Sequence, residues 1–128
     1  MSWSQFHERT AFMSALIERA ATDPDAALDF ESGELLEVRR LFGDEEGLLL
    51  ALRHRWVTTL TAKLDQAAYE DVPSEQVQAD LAVAQPGLRA LLDAAARRSV
   101  RLRSLERGEQ RILDFFNGPN PRRRAVVA

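Results

Sequence analysis

A heptad pattern in the last third of the chain constrains the fold more than any other feature. Positions seven apart read Leu88, Ala95, Leu102, Glu109 and Phe116, and the set three residues on reads Leu91, Arg98, Leu105 and Ile112. Apolar side chains recurring in this way call for a helix packed along another helix. Leu92 and Leu113 widen the seam into a face suited to a bundle. Arg98 and Glu109 are its two flaws. The partner is either another part of this chain or a second copy. In the second case Leu88, Leu91, Leu102, Leu105, Ile112 and Phe116 form the oligomer interface, and the expectation is a homodimer.

The rest of the chain is equally helical in character. Ala (19), Leu (18) and Arg (16) dominate, and all three favour helix. Val, Ile and Thr together number 15, too few for a protein rich in sheet. Ser2 and Gln5 form a capping-box pattern at the head of a helix over 3–21, striped by Phe6, Met13, Leu16 and Ile17. Asp23-Pro24 stops it and starts a short piece over 24–31. A helix over about 33–42 ends at Gly43. Asp44 then caps a long helix to about residue 70, with Glu45 and Glu46 where the helix dipole favours negative charge. Asp71-Val72-Pro73-Ser74 is a turn, and Pro86-Gly87 either kinks or divides the helical segment around it.

The expectation is an all-α bundle of four to five helices. Its frame is a long antiparallel hairpin of the helices over about 44–70 and 86–116. One helical domain covers 1–118, and 119–128 is a flexible basic tail. The N-terminus lacks a basic segment followed by an apolar run, so a cytoplasmic protein is expected. The longest apolar run, Leu48 to Leu52, is far short of the roughly 20 residues of a membrane span.

The net charge of −3 hides a division. Residues 1–80 carry 7 Lys or Arg and 16 Asp or Glu, a balance of −9; residues 81–128 carry 10 and 4, a balance of +6. Arg97, Arg101, Arg103, Arg107 and Arg111 step around the heptad helix, and Arg122, Arg123 and Arg124 lie beyond it in the tail. In the simpler reading this basic segment packs against the acidic half of the protein. In the sharper one these arginines bind an acidic protein partner, or nucleic acid phosphates. Against nucleic acid, the chain as a whole is acidic, no groove-reading module is legible, and no aromatics interleave with the arginines.

Little in the sequence points to chemistry. The absence of cysteine excludes thiol catalysis, disulfides and thiolate metal sites. His7 and His54 are the only histidines, and neither has a Glu three residues before it. No phosphate-binding glycine loop and no nucleophile elbow is present. Asp44-Glu45-Glu46 is explained by its place at a helix start. No enzyme, no cofactor and no metal is expected. Trp3, Phe6, Trp56, Phe115 and Phe116 read as core, the terminal ones alternatively as interface anchors. The function expected is a non-catalytic interaction or regulatory protein, a homodimer contacting a protein partner through its charged and heptad surfaces. Nucleic-acid association is the alternative. A small-molecule pocket lined by Phe12, Trp56 and Leu60 is a third reading.

Overall fold

A computed structural model describes residues 2–117, with side chains as far as Phe115. The described residues form seven helices and no strand: α1 (Trp3–Ala20), α2 (Pro24–Ala27), α3 (Ser32–Phe42), α4 (Glu45–Glu70), α5 (Ser74–Ala84), α6 (Pro86–Arg98) and α7 (Val100–Asn117). The protein is all-α.

Local chemistry sets most of these boundaries. Ser2 Oγ accepts from the Gln5 amide at 3.1 Å, and Gln5 Oε1 accepts from the Ser2 amide at 3.2 Å, a closed capping box. Asp23 Oδ1 accepts from the Ala26 amide at 3.1 Å, with Pro24 in the first turn. Asp44 Oδ1 does the same for the Gly47 amide at 2.7 Å. Gly43, at φ +87, closes α3. Gln85 is non-helical and Pro86 opens α6, so the proline separates two helices rather than kinking one.

The helix expected over 86–116 is two helices. Ser99 is extended (φ −126, ψ 119). Its Oγ accepts from the Leu102 amide at 3.3 Å, which starts α7 afresh. Arg103 closes the corner from the other side, donating to the carbonyls of Ala96 (3.1 Å) and Arg97 (3.2 Å). The flaw at Arg98 is the hinge of this reversal. Its guanidinium turns away from the seam to the Leu28 carbonyl (3.2 Å) and the Asp29 carboxylate (2.7 Å). The hydrogen bond to Asp29 raises the Arg98 pKa above its ordinary value.

This reversal changes the topology. Arg89 pairs with Glu106 and Glu109, so α6 and α7 are the antiparallel pair. Glu46 faces Arg101, Arg53 donates to the Leu105 carbonyl, and Trp56 donates to Glu109. These contacts advance together along both helices, so α7 runs parallel to α4. The frame therefore differs from the expected hairpin, whose second arm exists only as α6. The count of helices differs too, because Ser99 and Pro86 each divide a segment that its apolar period alone would join.

One buried cluster extends from Leu16 to Leu113 and has Trp56, Leu48, Leu52, Leu60, Leu81, Leu88 and Leu91 at its centre. The heptad positions face inward: Leu88, Leu91, Ala95 and Leu102 are buried, and Leu105 and Ile112 pack against the cluster. The second flaw, Glu109, is 4% exposed and has a specific partner. It accepts the indole N–H of Trp56, which is itself fully buried. The Arg89 guanidinium sits 4.7 Å from the Trp56 ring centroid and pairs with Asp93 (2.8 Å), Glu106 (3.5 Å) and Glu109 (3.7 Å). A polar residue in the seam is thus satisfied on both sides, and it fixes α7 in register on α4 and α6. Beside it, burial pushes the Arg53 guanidinium pKa down, and the nearby Glu109 and Glu106 carboxylates oppose that shift.

Candidate interaction site

An open groove lies between α1 and α4. Phe6, Arg9, Thr10 and Met13 fall on one face of α1, and Gly47, Leu50, Ala51, His54 and Arg55 on one face of α4. Together they line a groove of about 550 Å³. Its floor and walls are apolar, supplied by Phe6, Met13, Leu50 and Ala51. Trp3 stands beside it, 75% exposed, and stacks on Phe6 at 5.9 Å. The His7 ring closes edge-on against Trp3 at 4.5 Å. Exposed stacked aromatics adjoining an open apolar groove are the pattern of a contact surface rather than of a finished core.

The reason the groove exists is visible in α4. Leu48, Leu49, Leu50, Ala51 and Leu52 are consecutive, and a helix turns about 100° per residue, so they cannot share one face. Leu48, Leu49 and Leu52 enter the core; Leu50 and Ala51 are left in the groove. Gly47 is fixed by packing. A Cβ there would stand 2.2 Å from the Phe42 carbonyl oxygen, so its backbone role explains the residue without a ligand.

The polar groups at the groove are basic or neutral. Arg9 lies with its guanidinium 5.0 Å from the Phe42 ring centroid. Arg55 donates to Ser14 Oγ at 3.5 Å. His54 is exposed, with Nε2 3.5 Å from Thr58 Oγ1. No carboxylate is among the described lining residues.

The arginines singled out in the sequence do not form one open face. Arg97 pairs with Asp25 at 3.1 Å, and Arg101 approaches Glu46 at 3.9 Å. Arg103 serves backbone carbonyls at the α6–α7 corner. Arg107 and Arg111, of this set, have neither an ion pair nor a side-chain hydrogen bond among the described residues. Arg122, Arg123 and Arg124 lie outside them. The division of charge along the chain is met within it at three places among the described residues: Arg97 and Arg98 of α6 reach Asp25 and Asp29, and Arg101 of α7 reaches Glu46 of α4. Such exposed pairs orient helices more than they stabilise them.

The expected oligomer seam requires correction. Leu88, Leu91 and Leu102 are at most 3% exposed in a single copy, so they have no surface to give a second one. Leu105 and Ile112 are partly buried against the same core, and the Phe116 side chain is outside the described residues. The pocket expected at Phe12, Trp56 and Leu60 is corrected as well. Trp56 and Leu60 are fully buried, and Phe12 packs among the rings of Phe30 and Phe42. The opening is one helix face away.

Sequence reasoning missed the groove because Met13 and Phe6 fit a core stripe and His54 fits a solvated surface. The signal was the Leu48–Leu52 run, too wide for one face of a helix. Among the described residues no group of three or more His, Asp or Glu could hold a metal, and no helix is long and apolar enough to cross a membrane. No protein-family model matches the chain, and neither a curated protein nor a solved structure matches it.

Proposed function

We propose that the protein is a non-catalytic helical interaction module, and that it receives a segment of a partner protein in the groove between α1 and α4. The observation that carries this is the groove itself: apolar inside, open to solvent, and edged by the exposed Trp3–Phe6 stack. A homodimer through the heptad seam is not part of this proposal, since those leucines lie in the chain's own core.

Site-specific photo-crosslinking in cells tests it. A photoreactive residue at Leu50 should yield adducts with another protein. The same residue at Val83, exposed on α5, should not. Absence of adducts from Leu50, or equal adducts from both positions, would remove the groove from consideration. An adduct of twice the chain mass would assign the groove to a second copy.

Association with nucleic acid is the second reading. It is favoured by Arg107 and Arg111, which are one turn apart and have no ion pair among the described residues. It expects binding of a single- or double-stranded oligonucleotide that weakens steeply with salt and weakens further in the Arg107→Glu/Arg111→Glu variant. No binding at low salt ends it.

A further inference from the structure

We infer that the segment received between α1 and α4 is an amphipathic helix of another protein, flanked by acidic side chains. This rests on reading the groove as a protein-docking surface and adds the shape and charge of what docks there.

The shape is set by the walls. Both are helices, and their backbone groups are already hydrogen-bonded within them, so there is no sheet edge to which an extended peptide could pair. On α1 the lining runs from Phe6 to Met13, and on α4 from Gly47 to Arg55, about two turns on each side. A third helix laid between two such walls places side chains at i, i+3 or i+4, and i+7 against Met13, Leu50 and Ala51. Its helical form also satisfies its own backbone against an apolar floor.

The charge is set by the rim. Arg9, His54 and Arg55 are its ionisable groups. Three carboxylates nearby in sequence have partners of their own. Glu8 pairs with Arg40 at 2.7 Å, Asp44 caps α4 through the Gly47 amide, and Glu46 turns to Arg101. In a chain whose first 80 residues carry a balance of −9, a groove whose ionisable lining groups, among the described residues, are all basic is a local inversion of sign. Such a rim attracts an acidic partner and opposes a basic one.

The same charge disfavours this chain as its own ligand. The tail carrying Arg122, Arg123 and Arg124 has the sign of the rim. Helix α1 carries Glu and Arg in equal number, and α7 is basic. The other large exposed apolar residues are scattered: Leu36 on α3, Tyr69 on α4, Val83 on α5, and Val100 and Phe115 near opposite ends of α7. None forms an apolar row with acidic flanks.

The test is a selection on the full-length protein with a displayed library of helical peptides. The apolar row is held constant as Leu at i, i+4, i+7 and i+11, and the flanking positions are randomised among Glu, Gln and Lys. Selected peptides should be enriched in Glu, and should bind about tenfold or more tightly than their Gln counterparts at low salt, with the difference shrinking as salt rises. In Arg55→Glu the preference for Glu should fall or reverse while binding of the Gln peptide persists, a result that loss of folding cannot produce. Equal recovery of Glu, Gln and Lys flanks would overturn the charge assignment and leave the groove reading standing. Peptides that bind Leu50→Asp as well as the parent, or no selected binder at all, would overturn both. A sedimentation mass of two chains that falls to one in Leu50→Asp would assign the groove to a second copy and overturn the inference.

Discussion

Helix α1 has two flanks, and they are built in opposite ways. Toward α6 the contact is closed. Gly87 comes so near that a Cβ there would stand 2.5 Å from the Ile17 carbonyl oxygen, and Leu16 and Ala20 are wholly buried. Toward α4 the helices stand apart and leave Phe6, Met13 and Leu50 around an open groove. The same helix thus supplies core at its C-terminal half and accessible apolar surface at its N-terminal half. Stability should reside in the first and recognition in the second.

That division can be broken by mutation. The largest effect is expected for Leu16→Ala. Truncating a fully buried leucine leaves a cavity, and unfolding in urea should show a loss of about 2–5 kcal/mol. A loss below about 1 kcal/mol would mean that the end of α1 is not sealed to the core.

Gly87→Ala comes next. The added methyl meets backbone rather than a flexible side chain, so α1 and α6 must move apart, at a cost of about 1–3 kcal/mol. A neutral or stabilising result, as a helix-favouring alanine would give at an uncrowded site, would show that the two helices approach less closely than this.

On the open flank, Trp3→Ser should change stability by no more than about 0.5 kcal/mol, because little of the indole is buried. A large loss would show that Trp3 belongs to a core. Partner adducts formed from Leu50 should nevertheless decline in this variant.

The smallest effect concerns the brace of α3. Arg40 bridges Glu37 and Glu8, both at 2.7 Å, and its hydrogen bond holds the Glu37 carboxyl below the ordinary carboxylate range. A depressed carboxylate pKa favours the folded state at neutral pH. That contribution is fully present above the unfolded-state value and is lost as pH falls through the folded one. Carboxyl NMR titration should find Glu37 low in the parent and back in the ordinary range in Arg40→Leu, with little change in melting temperature because every partner is solvent-exposed. An unchanged Glu37 titration would refute the pairing.

Legibility followed the range of the interactions. The caps at Ser2, Asp23 and Asp44 and the stop at Gly43 are interactions within four residues, and each was readable as a short pattern. The reversal at Ser99 was also written locally, as Arg97-Arg98 in a last turn followed by a serine able to cap. A continuous heptad concealed it, because the inward-facing phase is kept on both sides of the corner. Glu109 was legible only as a flaw. Its meaning depends on Trp56, 53 residues away. The arginines were legible as a cluster, but their carboxylates at Asp25, Asp29 and Glu46 are brought to them by the fold.

Backbone propensity, capping and composition act within a turn or two, and they are written in the order of the residues. They were enough to establish an all-helical chain, the ends of most of its helices, and a division of charge that its own ion pairs could answer. Three features needed the assembled molecule: α7 doubles back to run parallel to α4, the heptad leucines face inward within one copy, and Leu50 faces the groove while its neighbours Leu49 and Leu48 do not. Each of these depends on which surfaces meet across the molecule, and an apolar side chain carries no mark of the neighbour that will cover it.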